Sequence, residues 1–538
     1  MNPAIITAHC LHNWRSSVSA TALALLALST AVLAQNNNAQ NDNSATPQAG
    51  APNGSPCGMP PGGPGGPPPD GTGGPPPDNA GGPPPEAPGD SQNQNANGAP
   101  QGPPPGASDQ QGSQSGSGGQ AGPGGPGEPP PGGPCGGQQA SIKLSGVFTA
   151  SKGESKSESG KSYASGQKDT SAVYAFDGGS IALDRPTITT SGNSSSQDSS
   201  SFFGLNAGVL AANGGKIAIH GGSISTTGTG ANGAFASGNG SEVELTDVTI
   251  KATAGGGHGL MTAGGGKMKL TNVNIDTAGQ SGAAIATDRG GGVIVAEGGT
   301  IKTSGFRSPS IYSTGEITVS HATMLSTGAE CAVIEGSNTI TVIESAMTCE
   351  KSWGAMLYQS FSGDAQGQES HFTMHGGSLS VKTGPVFFVN NTHGTINLSG
   401  VKLTSASGVL LSATTAQWGR QGANGGKAIL IADQQELPGD LIAGGGGSSI
   451  DATLKNHSSL NGAVQGASLT LDATSQWNVS SDSKLAGLAD PAGVASGNIT
   501  NIVGNGHTVT YKAGDARNAW LGGKSYQLTG GGKLIPEN

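Results

Sequence analysis

The chain contains few charged and few aromatic residues. Of its 538 residues, 11% are charged and 4% are aromatic, whereas about 25% of the residues in an average soluble domain are charged. A composition with little charge and abundant Gly, Ser, Thr and Asn is typical of exported proteins rather than of cytosolic enzymes. The net charge of −10 also argues against a nucleic-acid partner, because phosphate binding needs clustered Lys and Arg.

Long apolar runs are also scarce, and the one that stands out lies at the N-terminus. Residues 18–33 are mostly apolar, follow a short polar stretch around Arg15, and end at small residues that fit cleavage after Ala34. The run is too short for a good membrane span, although an uncleaved anchor is the alternative. We predict that residues 1–34 are a signal peptide and that no segment spans a membrane. The protein is then exported to the medium, the cell surface or the periplasm.

Residues 35–139 contain no Lys or Arg and are dominated by Pro, Gly, Asn and Gln. A segment of this composition cannot bury a core, and we expect a disordered linker with some polyproline-II character. The lack of a strict Gly-x-y register argues against a collagen helix. The linker is expected to be a spacer that holds the rest of the chain away from a surface. The alternative is a ligand for a proline-binding partner.

The chain has five cysteines, of which four follow the predicted signal peptide. Export permits disulfides, although their pairing cannot be deduced from a sequence. Cys331 and Cys349 lie 18 residues apart in the repetitive part of the chain and form one candidate bridge. Cys57 and Cys135 flank the Pro-rich tract and form a second candidate. These spacings resemble no zinc site, and we predict neither a metal nor a cofactor.

From residue 141 onward the chain repeats a cassette of the form [IVMF]-x-[ILVMA]-x-x-x-x-[ILMT], about once every two dozen residues. In one copy, Val243 and Leu245 alternate with polar residues, and so do Val248 and Ile250. The odd spacing between the two pairs requires a corner or a bulge if all four are to face one interior. The copies are 141–149, 180–188, 216–224, 242–250, 267–275, 293–301, 316–324, 339–347, 371–379 and 395–403.

One such coil cannot bury enough apolar surface to order itself, so neighbouring coils must stack. A strand-like repeat with a period of 20–50 residues indicates a solenoid, and no segment past residue 35 has a convincing helical period. We predict an all-β fold, a right-handed parallel β-helix over residues 140–490. Residues 491–538 are predicted to be a C-terminal β cap, which solenoids need to protect their last edge.

The cassettes, the export signal and the composition together resemble the passenger domains of bacterial autotransporter adhesins, in the pectin-lyase-like superfamily of β-helix proteins. The clearest local similarity is SLTLDATSQWNVSSDSKLAGL at 468–488, which looks like the segment that closes many passenger β-helices. Its matching positions are Trp477, Ser481, Asp482, Leu485 and Leu488. The resemblance implies an adhesin-like role. A membrane barrel of that family would need several hundred further residues, so we expect none after residue 490.

Parallel β-helices also include polysaccharide lyases and hydrolases, so we looked for catalytic signals. The triplet 257–259, Gly-His-Gly, matches polygalacturonase-like enzymes, but their Asn-Thr-Asp, Asp-Asp and Arg-Ile-Lys motifs do not occur. Glu242 and Glu244 share a strand face, where solvation is the ordinary explanation. His371 and His375 are too far apart along an extended strand to share a metal. We therefore predict no catalytic residue.

The stretch 348–370 departs from the repeat, because it lengthens its coil and gathers three aromatic residues in a chain that has few. Exposed aromatics beside carboxylates suit sugar stacking or protein contact. The alternative is a loop whose aromatics fold back over a coil. A weaker candidate is Trp418 with Arg420. The predicted ligand-binding residues are Trp353, Tyr358, Phe361, Asp364 and Glu369.

The function we expect is that of a secreted or surface-displayed, adhesin-like protein. It acts by binding a glycan or a host or cell-surface protein, or as a structural stalk. One alternative is a carbohydrate-active β-helix enzyme, a polysaccharide lyase or hydrolase, with a cryptic site near 348–370. In that case turnover depends on Glu350, Asp364 or Glu369. Another alternative is a self-associating matrix component, which concentration-dependent sedimentation would reveal.

Overall fold

The computed structural model describes residues 142–360, 365, 367–490 and 492–537. These residues form a nearly all-β parallel solenoid of about 15 turns, which confirms the prediction of a parallel β-helix. The predicted signal peptide and linker lie outside the described residues. Of the helices in the described part of the chain, none is long and apolar enough to cross a bilayer.

Successive coils build three sheets, which we name A, B and C in the order in which the chain enters them. Sheet A comprises Ser145–Ala150, Thr170–Phe176, Val209–Ala212, Ala234–Ser237, Leu260–Ala263, Ile285–Thr287, Ile311–Ser313, Ala332–Glu335, Ala355–Tyr358, Phe387–Asn390, Val409–Thr414, Glu436–Pro438, Asp440–Gly444, Ser459–Asn461, Val464–Gln465, Gln476–Asn478, Ser483–Leu485, Val494–Ala495, Asn498–Val503, Thr508–Lys512, Tyr526–Thr529 and Lys533–Glu537. Sheet B comprises Ser155–Ser159, Ser180–Asp184, Lys216–His220, Glu242–Thr246, Gly266–Thr271, Gly292–Glu297, Glu316–Ser320, Thr339–Ile343, Glu369–His375, His393–Ser399, Lys427–Asp433, Ser449–Lys455, Ser468–Leu471 and Gly487–Ala489. Sheet C comprises Ser162–Ser165, Thr187–Thr190, Ser223–Thr226, Thr249–Ala252, Asn274–Thr277, Thr300–Thr303, Thr323–Ser326, Ala346–Cys349, Ser378–Val381 and Lys402–Ser405. An α-helix, Gln197–Phe203, and a 3-10 helix, Ala516–Leu521, complete the described elements.

A sharp corner joins sheet B to sheet C at the position that the cassette requires. Asp247 occupies this corner with a φ of 57°, a left-handed conformation that Asp, Asn and Gly tolerate better than other residues. Because of the corner, Val248 and Ile250 face the same interior as Val243 and Leu245. All four side chains are at most 1% exposed.

The strands pair in parallel register, so equivalent inner residues stack into continuous columns. Each member covers both neighbours in its column, which is how stacking stabilises coils that could not fold alone. Every member of the column below is at most 3% exposed. One inner column of sheet B is Ile181, Ile217, Val243, Met268, Ile294, Ile317, Ile340, Phe372, Ile396, Leu430, Ala452, Leu469 and Leu488.

The assignment of 141–149 as the first cassette is wrong. Residues Ser145–Ala150 belong to sheet A and pair with Thr170–Phe176. The sheet B and sheet C strands of the first coil are Ser155–Ser159 and Ser162–Ser165, with the sequences SKSES and SYAS. The inner positions of these two strands include polar residues, so the first coil lacks the aliphatic alternation that defines the other cassettes. The other nine cassettes each span a sheet B strand and the following sheet C strand.

The last strand of sheet B, Gly487–Ala489, is covered by the 3-10 helix. The Leu488 N–H donates to Asn518 Oδ1 over 2.9 Å, and Trp520 Nε1 donates to the Leu488 carbonyl over 2.7 Å. These side chains pair with backbone groups that an open sheet edge would leave unsatisfied. The chain then ends in the antiparallel hairpin formed by Tyr526–Thr529 and Lys533–Glu537.

Asp490 follows this strand and is fully buried. Its Oδ1 accepts hydrogen bonds from Gly493 N at 3.0 Å and Asn501 Nδ2 at 2.9 Å. Among the described residues, Asp490 Oδ2 and Asn501 Oδ1 have no hydrogen-bond partner. A Cβ at Gly493 would lie 2.3 Å from Asp490 Oδ2 and 2.0 Å from Asn501 Oδ1. These two oxygens are therefore close neighbours. Burial raises the pKa of Asp490 above its usual range, and a proton on Oδ2 would complete an acid–amide pair with Asn501.

We expect Asp490→Asn to stabilise the protein at pH 7. A carboxyl whose pKa is higher in the folded chain contributes stability that is complete below its unfolded pKa of about 3.9 and is lost as the pH rises through the folded pKa. An amide keeps the hydrogen bonds at every pH. Urea unfolding should therefore give the variant an advantage of roughly 1–3 kcal/mol at pH 7 and little at pH 4. The exposed Asp177→Asn serves as the control; equal pH profiles for both variants would contradict the pairing.

Candidate functional site

Sheet A differs from sheets B and C because nine of its strands carry a buried apolar residue on the outward face as well as on the inward face. The outward residues of nine successive strands are at most 5% exposed and belong to a second apolar cluster, separate from the interior core. These nine residues stack in one outward column, and together with Tyr358 and Trp418 we call them the outer cluster. The column consists of Tyr174, Leu210, Phe235, Met261, Ala286, Tyr312, Val333, Met356 and Phe388.

The sequence contains a signal for this second apolar face, which the cassette pattern does not include. Sheet A strands read VLAA at 209–212, LMTA at 260–263 and AMLY at 355–358, without polar alternation. Continuous apolar runs of this length indicate strands that are buried on both faces. The cassettes cover only sheets B and C, where polar residues alternate with the inner column.

The short helix Gln197–Phe203 lies over the N-terminal part of the outer cluster. A Cβ at Gly204, its C-cap, would lie 2.6 Å from Leu210 Cδ1 and 2.7 Å from Phe235 Cγ. Glycine is therefore needed at this position both for its φ of 74° and for the close approach. The Arg289 guanidinium lies 3.8 Å from the centre of the Phe202 ring, a favourable cation–π geometry.

Towards the C-terminal end of the outer cluster, two loop residues, Trp353 and Trp418, each pack against an aromatic residue of a sheet A strand. The Trp353 and Phe388 rings are stacked, with centroids 4.0 Å apart and planes 10° apart. The Tyr358 and Trp418 rings are tilted, with centroids 5.0 Å apart. Trp353 is only partly buried, whereas the other three are at most 4% exposed. The four rings therefore form an aromatic platform with one ring at the surface.

A buried carboxylate network lies directly beside this platform. Glu335 Oε2 accepts a hydrogen bond from the Tyr358 hydroxyl at 2.9 Å and another from the Tyr312 hydroxyl, and Oε1 accepts one from Ser360. Burial, reinforced by the Glu335 charge, raises the pKa values of both tyrosines well above their usual range. Both phenols therefore stay protonated donors, and the network holds three successive sheet A strands together.

Of the five predicted ligand-binding residues, the structure describes three. Tyr358 is buried in the outer cluster, while Trp353 is at its surface. Glu369 is exposed at the start of a sheet B strand. Phe361 and Asp364 lie outside the described residues. Trp353 and Tyr358 thus share the outward side of sheet A, where their partners Phe388, Trp418 and Glu335 come from other coils that the local sequence does not indicate.

A disulfide joins Cys331 and Cys349, whose Cα atoms are 5.4 Å apart. Cys331 immediately precedes the sheet A strand Ala332–Glu335, and Cys349 ends the sheet C strand of the same coil. The bridge therefore ties the start of this coil to its end. Both cysteines are fully buried. The second candidate pair, Cys57 and Cys135, lies outside the described residues.

The other chemical candidates have structural explanations. His258 is buried, which lowers its pKa to about 4 and keeps the imidazole neutral at physiological pH. Glu242 and Glu244 are each 3.0 Å from a lysine of a neighbouring coil, Lys216 and Lys269 respectively. Within the part of the chain that the structure describes, no group of three or more His, Cys, Asp and Glu side chains could hold a metal ion.

The segment 468–488, which resembles the end of autotransporter passengers, continues the stacked coils. Trp477 is fully buried and its Nε1 donates to the Gly462 carbonyl over 2.9 Å, while Ser481 and Asp482 are exposed. Comparisons with protein-family profiles, with curated proteins and with solved structures find no match to this chain. The resemblance therefore stays a prediction that rests on the sequence pattern.

Proposed function

We propose that this protein is an exported, adhesin-like β-solenoid of the autotransporter-passenger type that binds a glycan or a cell-surface protein. The observation that supports this most is the aromatic platform on the outward side of sheet A. A stalk that only spans a distance needs no stacked aromatic ring at its surface, whereas such rings are a common means of holding a sugar ring or an apolar side chain. Binding, rather than turnover, is the role that this arrangement favours.

Within the platform, Trp353 is the residue that contacts the ligand. Its ring is partly exposed and is held flat against Phe388. Tyr358 and Trp418 lie beneath the surface, and the Glu335 network fixes Tyr358 in one orientation. A ring that is already ordered loses little conformational entropy when a ligand binds, which increases affinity.

A glycan array and a cell-binding assay with matched variants test this proposal. Trp353→Ala should weaken binding about tenfold, since an aromatic pair contributes roughly 0.5–1.5 kcal/mol beyond area burial. The control is Phe306→Ala, which removes a ring that is 51% exposed in another loop and should leave binding unchanged. Circular dichroism confirms that both variants keep the fold.

Two results would contradict the proposal. One is binding that the Trp353→Ala variant retains in full. The other is depolymerisation of a polysaccharide that Glu369→Gln abolishes without loss of fold, because this outcome assigns the region to the carbohydrate-active alternative.

A further inference from the structure

The first coil places charged side chains at two inner positions of sheet B, where the following coils have apolar residues as far as Leu488 in one column and Leu471 in the other. Lys156 pairs in register with Ile181, and Glu158 pairs with Leu183. The column that begins at Lys156 continues through the apolar residues given above. The column that begins at Glu158 continues through Leu183, Ile219, Leu245, Leu270, Ala296, Val319, Val342, Met374, Leu398, Ala432, Leu454 and Leu471.

These two charges sit over a pair of aromatic rings. The Phe148 and Tyr163 rings are 4.7 Å apart. Lys156 Nζ lies 5.5 Å from the centre of the Phe148 ring and donates to the Thr149 carbonyl. Glu158 Oε2 accepts a hydrogen bond from the Tyr163 hydroxyl at 2.8 Å. The rings thus begin inner columns of sheets A and C, and the charged groups of the same coil contact them.

We infer that the first coil is a charged cap that prevents the N-terminal end of the solenoid from stacking on a second copy of the chain. The side chain of Lys156 is 40% exposed, so its ammonium reaches water in a single copy. A second copy placed on this end would bury both charges, and burying an ionised group costs several kcal/mol unless it is fully paired. Charged side chains that point inward are a recognised protection of exposed strand edges.

The other end of the solenoid determines what is formed when this protection is lost. Among the described residues at that end, Asn518 and Trp520 cover the last sheet B strand, and Tyr526–Thr529 and Lys533–Glu537 form an antiparallel hairpin. We therefore expect association to join two N-terminal ends. Such a contact uses the same surface on both copies, so it closes as a dimer and does not continue into a fibre.

The test replaces the two charges with the residues of the second coil, in the Lys156→Ile/Glu158→Leu variant of the full chain. Sedimentation velocity should show a twofold increase in mass that reverses on dilution, and no larger species. The wild type and a Lys156→Gln/Glu158→Gln variant, which keeps the end polar, should sediment as monomers at the same concentrations. The matched control is Lys216→Ile/Glu244→Leu, which adds the same apolar groups on the outward face of sheet B and should also stay monomeric.

Several outcomes would overturn the inference. They are a wild type that already dimerises, a Lys156→Ile/Glu158→Leu variant that stays monomeric with an intact circular dichroism spectrum, and equal association of the outward control. If the Ile/Leu variant fails to fold, Lys156→Met/Glu158→Met takes its place, because flexible Met side chains fill an irregular space with little strain. We expect the Lys156→Met/Glu158→Met variant to show the same twofold increase in mass. A folded Met variant that stays monomeric would also overturn the inference.

Discussion

Replacing Ile317 with Lys should destroy the fold of the central coils, whereas replacing the next residue, Thr318, with Lys should leave it intact. Ile317 is fully buried between Ile294 and Ile340 in the inner column of sheet B. An ammonium placed there has no partner and no water, and an unpaired buried charge costs several kcal/mol. That loss is a large part of the roughly 5–15 kcal/mol by which a domain is stable.

Urea unfolding monitored by circular dichroism measures the effect. We expect Ile317→Lys to lose at least about 4 kcal/mol, while Thr318→Lys, which points outward from the same strand, should change the free energy of unfolding by less than about 0.5 kcal/mol. Because each coil contacts mainly its neighbours, limited proteolysis of the first variant should cleave near residue 317. Equal stability of the two variants would show that the assigned inward and outward faces are wrong.

Removal of the disulfide should produce the second largest loss of stability. The bridge between Cys331 and Cys349 closes a loop with a sequence separation of 18, and a loop of about this length is worth roughly 3 kcal/mol in the chain-entropy account. Cys349 lies between Ser326 and Val381 in an inner column of sheet C. Because the neighbouring coils hold Ser and Val at this position, we expect Ala to fit there. The Cys331→Ala/Cys349→Ala variant should therefore fold, but it should unfold at a lower urea concentration than the wild type.

The expected loss is about 2–4 kcal/mol without reductant. In reductant, the wild type should approach the stability of the variant, because unfolding then exposes both sulfurs to reduction. Cys57→Ser/Cys135→Ser is the control that removes two cysteines elsewhere. A Cys331→Ala/Cys349→Ala variant as stable as the wild type would mean that the bridge does not stabilise the coil whose start and end it joins.

The inner columns of sheets B and C could be predicted because burial there is one-sided. Val243 and Leu245 alternate with exposed residues, and Asp247 supplies the corner that brings Val248 to the same side. Alternation of this kind recurs in every coil from residue 180 to residue 405, so one pattern describes two of the three sheets. The candidate disulfide is consistent with the same repeat, since it joins the residue before a sheet A strand to the last residue of the sheet C strand of that coil.

The remaining features do not alternate and so escaped the pattern. Nine strands of sheet A have apolar residues on both faces, and the strand at 355–358 directs Tyr358 outward, where it donates to Glu335. Nothing in the local sequence indicates that these two residues meet, because they belong to different coils. In the first coil, Lys156 and Glu158 occupy inner positions, so an aliphatic search passes over it. The contact between Tyr358 and Glu335 could not be predicted because it joins different coils. The first coil could not be predicted because its inner positions in sheet B are charged.

The central claim is that successive coils stack directly on one another, one step per coil. Spin labels on the outward face of sheet B test this claim, at Ala182, Thr318 and Thr453. Register places the second label five coils and the third ten coils from the first. At about 4.8 Å per coil, the expected separations are about 24 Å and about 48 Å.

The measurement is double electron–electron resonance on the pairs Ala182→Cys/Thr318→Cys and Ala182→Cys/Thr453→Cys. Serine should replace Cys10, Cys57 and Cys135, and the disulfide should be left in place. The account predicts two narrow distance distributions in a ratio of about one to two. Distances that do not grow in proportion to the number of intervening coils, or distributions without a defined maximum, would contradict the stacked solenoid and the functional proposals that depend on it.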